Sequence, residues 1–157
     1  MSTELTRKSP VAGFDLLESH ALALTQATEI FRERMITWLL SKLLNDGFEG
    51  LKANQLTFLG SLDCGANFAA ELARTLRISR QAVHKTVREL ETAGWLATRP
   101  DEKLGNQRII VFTEEGERMM SRARAHFSEL DTLLQREFGE DKLLELQGLL
   151  GFDPNKP

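Results

Sequence analysis

Residues 72–88 carry five lysines and arginines, Arg74, Arg77, Arg80, Lys85 and Arg88, together with His84, and not one carboxylate. Cations without neighbouring acids are the groups that meet phosphate, and Gln81 among them has an amide able to bond an adenine edge in bidentate fashion. Lysine and arginine can meet guanine N7 and O6 or a phosphate, and His84 can donate to either. The wider window 74–108 adds Arg99, Lys103 and Arg108, set against Glu89, Glu91, Asp101 and Glu102. Its balance is +4 inside a chain whose total is −3. This is the pattern of a basic reader on an acidic frame, although a solvated helix face that happens to lack acids has the same charge distribution.

For these side chains to act together they must share a face. At about 100° per residue, Val83, Val87 and Leu90 fall on one side of a helix over 80–93, and Gln81, His84, Lys85, Arg88 and Thr92 on the other. Ser79 is placed as its N-cap and Gly94 as its stop. Arg80 flanks the helix start, where free backbone N–H groups favour a phosphate. Upstream, Asn67 is the candidate cap of a short helix over 69–76, and Arg77-Ile78 must turn between the two. Downstream, the β-prone runs 95–98 and 108–112 are separated by turn residues that include Pro100, Asp101, Gly105 and Asn106, which predicts a hairpin with a polar tip. Helix, sharp turn, helix and hairpin is the layout of a winged helix-turn-helix. In that layout the second helix enters the major groove of DNA, and the hairpin reaches along the backbone or into the minor groove.

The flanks predict the frame. Residues 15–44 contain no Gly or Pro and repeat apolar residues near helical spacing, with Asn45-Asp46-Gly47 as a stop. A shorter helix is expected over 51–62. Thr113, followed by Glu114 and Glu115, opens another long helix that Gly139 breaks, and a last helix carries Leu143, Leu144, Leu146, Leu149 and Leu150. Thirty residues of helix extend about 45 Å, longer than so small a core can cover, so these ends are read as built for pairing with a second copy. The predicted fold is mainly α with a small β-hairpin wing: a winged helix-turn-helix lobe over 48–112, flanked by long N- and C-terminal dimerisation helices over 11–47 and 113–151, within a single chain spanning 1–157.

A chain of 157 residues and 17.7 kDa holds one ordinary domain with arms and disfavours most multi-domain enzymes. At 41% hydrophobic and 27% charged residues it is of folded rather than disordered composition. The longest uncharged stretches, 19–28 and 53–62, are about half the ~20 residues a membrane span requires, and no signal-peptide core follows Arg7 and Lys8, so a cytoplasmic location is expected. No glycine-rich phosphate loop, Ser/His/Asp set in recognisable context or catalytic carboxylate pair occurs, which predicts no enzyme and no cofactor. Cys64 is read as a buried inert thiol, with an oxidant sensor as the alternative. His20 and His126 are read as ordinary hydrogen-bonded histidines rather than metal ligands. Phe31, Trp38, Phe58 and Trp95 are candidates for a small-molecule effector cavity, although core packing alone accounts for apolar residues at these intervals.

Glu71-Leu72-Ala73, Ile78-Ser79-Arg80-Gln81-Ala82-Val83, Leu90-Glu91, Ala93-Gly94-Trp95-Leu96, Arg99 and Phe112-Thr113-Glu114-Glu115-Gly116, in that order and spacing, resemble the MarR family of bacterial transcriptional regulators. The resemblance implies a sequence-specific regulator of double-stranded DNA, most simply a repressor. It further implies a homodimer on a pseudo-palindromic operator, of a kind that in many relatives responds to small aromatic or phenolic acids or to oxidants, which makes a small aromatic ligand a candidate partner. Two departures stand out. The family's usual Asp-x-Arg at the hairpin tip is replaced by Leu104 and Asn106, which leaves Lys103, Asn106 and Arg108 as candidates for the wing contact, Lys103 first for a phosphate. Arg77 occupies a turn position where Gly is common, and a left-handed backbone there costs a non-glycine residue about 1 kcal/mol. The candidate DNA-binding residues are therefore Ser79, Arg80, Gln81, His84, Lys85, Arg88, Lys103, Asn106 and Arg108. The competing readings are a winged-helix module that recruits proteins instead of DNA, and a thiol- or metal-responsive sensor on the same frame.

Overall fold

The computed structural model describes residues 19–102 and 107–156. Six helices and one hairpin follow one another among them: α1 (His20–Asn45), α2 (Ala53–Leu59), α3 (Ala69–Leu76), α4 (Arg80–Thr92), β1 (Leu96–Pro100), β2 (Arg108–Phe112), α5 (Glu114–Phe138) and α6 (Glu140–Leu150). Contacts divide the chain into two units, with the boundary between Trp38 and Leu39. No described helix is long and apolar enough to cross a membrane.

In the first unit α1 opens at Ser19, whose Oγ accepts from the Leu22 amide at 3.2 Å. Leu22, Leu24, Ile30 and Phe31 are all exposed on this helix.

The second unit holds the core. Gly47, at φ +97°, stops α1, and Phe48 then buries itself almost completely with Leu43, Leu59, Val83, Leu90 and Met119. In α2 the buried Gln55 reaches back so that its Oε1 accepts from the Lys52 amide at 3.1 Å, satisfying one of the helix's orphan donors. α2 is shorter than the 51–62 expected. Gly60, Ser61 and Leu62 continue as tight turns, with Ser61 Oγ donating to the Phe58 carbonyl and drawing the chain out of helix. At α4, Ser79 Oγ accepts from the Ala82 amide at 3.1 Å, and Gly94 at φ +82° follows the helix end. The Trp95 amide then donates to the Leu90 carbonyl, so Trp95 completes the helix stop and β1 begins one residue later than predicted.

The hairpin is antiparallel, with Leu96 paired to Phe112 and Pro100 to Arg108. Asn67 is not the cap of α3, a place taken by Phe68. It is buried, bridges Ile110 through both backbone groups, and its side chain bonds Asp63, Gly65 and Ile110. A buried amide must satisfy its whole hydrogen-bonding inventory, and a third rung on the sheet does that where a cap would not.

α5 is fixed to this lobe at its first turn. Thr113 Oγ1 caps the Gly116 amide and donates to the Gly94 carbonyl at 2.6 Å, while the Thr113 amide donates to Trp95 O. Glu114, Glu115 and Glu117 lie at the positive helix end. α6 buries no residue, and Leu144, Leu146, Leu149, Leu150 and the following Phe152 are exposed.

Candidate nucleic-acid interface

α3 and α4 meet through a turn whose backbone is left-handed. Arg77 has φ +54° and ψ +41°, its amide donates to Arg74 O and Ala73 O, and the Ile78 amide closes back onto Ala73 O. This wraps the orphan carbonyls at the end of α3 and redirects the chain within two residues into Ser79 and α4.

α4 divides into two faces. Val83, Val87 and Leu90 are 0%, 4% and 0% exposed and anchor the helix to the core. Ser79, Arg80, Gln81, His84, Lys85, Arg88 and Thr92 are all exposed on its outer side, as are Arg74 and Arg77 just before it. Among the described residues, Arg74, Arg77, Arg80, Lys85 and Arg88 enter no ion pair and no side-chain hydrogen bond. Their charges are therefore presented to solvent without a compensating partner. A rod held by buried Val83, Val87 and Leu90 and carrying a long amide, an imidazole and three cations outward, with Arg74 and Arg77 just before it, has the chemistry to lie in a DNA groove.

At the wing, Arg108 is exposed and its Nη2 donates to the Thr98 carbonyl across the hairpin at 3.2 Å. The Asp101 amide donates to Gln107 O at 2.8 Å where the strands part. Lys103, Leu104 and Asn106 lie outside the described residues.

A second polar cluster lies away from this face. The Asp46 carboxylate accepts from Arg122 Nε and Nη2 at 2.9 and 3.1 Å, and its Oδ2 is 2.7 Å from Nε2 of the buried His126. The Arg122 and then the His126 hydrogen bonds hold the Asp46 carboxyl down at about 2. Glu129 is 3.6 Å from His126 Nδ1 and 3.8 Å from Lys42 Nζ. The expectation of a hydrogen-bonded His126 describes it, while His20 is exposed at the start of α1. Among the described residues no group of three or more His, Cys, Asp or Glu could hold a metal ion.

Cys64 corrects the expectation of burial. It is exposed, and Arg124 Nη2 lies 3.1 Å from its Sγ. The approach joins residues 60 positions apart, so no local spacing could announce it. The same two residues line a cavity of about 170 Å³ with Leu62, Phe112, Glu117 and Met120. Of the aromatic residues considered for an effector cavity, Phe58 and Trp95 are buried in the core, Trp38 is half-buried and Phe31 is exposed.

Two helices across a sharp turn, the second with an uncompensated basic outer face, and a hairpin behind them define a winged helix-turn-helix protein. Residues 49–103 match the family model described as MarR family. The fold extends the likeness well beyond that segment. One solved MarR family transcription regulator superposes with a TM-score of 0.67 at 20% identity, covering 83% of this chain and 85% of that one. A transcriptional regulator 24% identical gives 0.63 and covers 90% of this chain and 100% of that one. A mutant MarR from E. coli complexed with operator DNA gives 0.65 at 18% identity, covering 83% and 92%. No curated protein matches the chain. Residues 49–103 thus carry the MarR family match, and most of the chain shares the winged-helix fold of these solved proteins.

Proposed function

We propose that this chain is a non-enzymatic transcriptional regulator that binds double-stranded DNA as a homodimer. In this reading residues 48–112 form the reading lobe, with α4 in the major groove, and 11–47 and 113–151 form the dimerisation region. The observation that carries the reading is the outer face of α4: Ser79, Arg80, Gln81, His84, Lys85 and Arg88 stand exposed, without a carboxylate among them, on a helix whose other side is locked into the core. Gln81 reads a base edge, Arg80 and Arg88 engage phosphates, and His84 and Lys85 reach base or backbone. Arg108, with Lys103 and Asn106, serves the wing.

The exposed leucines of α6 and the exposed apolar residues of α1 and α5 support pairing with a second copy, because apolar surface of that extent favours burial. Two lobes then address successive half-sites of a pseudo-palindromic operator about 34 Å apart, one turn of DNA. Occlusion of a promoter makes the regulator a repressor. A small-molecule effector, aromatic in the first instance, acts by binding one lobe spacing in preference to another, since only differential affinity shifts such an equilibrium.

The test is a mobility-shift titration of the full chain on DNA from upstream of its own coding sequence. With six to ten phosphate contacts, affinity is expected to fall by about 10³–10⁵ between 50 and 200 mM salt. Absent or salt-independent binding contradicts the proposal and favours a winged-helix module that recruits protein.

A further inference from the structure

Arg77 is the one non-glycine residue with positive φ among the described residues. The turn requires the left-handed conformation, because the helix-end bonds of Arg77 and Ile78 to Ala73 O form only if the chain reverses there. Glycine adopts it without a Cβ penalty, and asparagine with a small one; arginine has neither advantage. Its side chain does nothing for the fold in return: it is exposed, and among the described residues its guanidinium donates to no acceptor and pairs with no carboxylate. Strain that the surroundings impose, at a side chain that makes no polar contact within the chain, directs attention to a contact outside it.

The position says what that contact is. Arg77 stands two residues before the Ser79 cap, between exposed Arg74 and exposed Arg80, in the stretch that holds no acid. The turn lies two residues before the N-cap of α4, so with α4 in a groove an arginine there would be near the phosphate backbone at the groove's edge. A planar guanidinium with five donors fits a phosphate oxygen pair there.

We propose that Arg77 is a phosphate clamp at the mouth of the reading helix, an additional DNA-binding residue that sets affinity without setting sequence. The inference rests on the DNA-binding reading above. The role explains why the turn tolerates an arginine: the strain is borne in the free protein and the guanidinium is used only in the complex.

The experiment compares the full-length wild type with Arg77→Gly, Arg77→Asn and Arg77→Lys, measuring thermal stability and the salt dependence of binding to an operator duplex and an unrelated duplex. Arg77→Gly and Arg77→Asn are expected to melt no lower than wild type. Both lose about tenfold in affinity on both duplexes, and the slope of log K against log salt falls by about 0.9 for each phosphate contact removed. Arg77→Lys keeps the slope. Wild-type affinity and slope in Arg77→Gly and Arg77→Asn overturn the inference while leaving the DNA-binding reading intact. A lowered melting temperature with unchanged binding overturns it in favour of a structural role, and a loss confined to the operator overturns it in favour of a base contact. If wild type itself binds neither duplex, the broader reading fails and this one with it.

Discussion

Gly116 and Arg77 show opposite demands on a single β-carbon. A Cβ at Gly116 would sit 2.0 Å from the Trp95 carbonyl oxygen and 3.1 Å from the Phe112 ring, so the first turn of α5 can press on the lobe only where no side chain intervenes. Gly116→Ala must push backbone apart and is expected to destabilise the fold by about 1–3 kcal/mol, measured as a lower urea midpoint. A midpoint equal to wild type's would mean the junction is loose. Asp46 makes a different prediction. Its carboxyl titrates at about 2 in the fold because Arg122 and His126 bond its ionised form, whereas an unfolded aspartate titrates near its ordinary 3.8. The stabilisation is therefore complete above pH 4 and disappears as pH falls through about 2. Asp46→Asn should melt below wild type at pH 7, and the gap should close between pH 4 and 2; a gap constant across that range would show that the charge is not what matters. Residues of this kind were not legible in advance. Asp46 reads in sequence as part of a stop signal, because its partners lie 76 and 80 positions away.

At the scale of elements, what was legible was local. Ser79, Thr113, Gly94 and Gly139 announce their helix ends because a cap acts within three or four residues, and the two faces of α4 follow from helical periodicity alone. Asn67 misleads for the complementary reason. An asparagine before a helix looks like a cap, and only Ile110, 43 residues later, reveals it as a rung on the sheet. The exposed cysteine is a similar case, decided by the loop after α2 and the distant Arg124. The last helix was legible as an apolar surface in excess of what one small domain hides, and Leu144, Leu146, Leu149 and Leu150 are indeed exposed, with Leu143 half-buried. The proposed role of α6 in pairing predicts that deleting residues after Gly139 converts the protein to monomers or aggregates, as read by light scattering after size exclusion. A well-behaved truncated dimer with undiminished DNA binding would remove α6 from the proposed dimer frame.

For the molecule as a whole, charge separates two tasks. The net charge of −3 opposes non-specific attraction to DNA, while the +4 segment concentrates cations on and beside the helix that would read it. In the proposed function affinity comes from phosphate contacts of Arg77, Arg80 and Arg88, and sequence preference from a few outward side chains led by Gln81. These assignments are separable. The most direct test is selection of binding sites from a randomised duplex library by wild type, Gln81→Ala and Arg88→Ala in parallel. Wild type is predicted to enrich two half-sites one DNA turn apart. Arg88→Ala should enrich the same motif at lower affinity, and Gln81→Ala should lose about 1–3 kcal/mol of discrimination at one position in each half-site. Recovery of an identical motif at full strength by Gln81→Ala, or no motif from wild type, would contradict the claim that the outer face of α4 reads DNA.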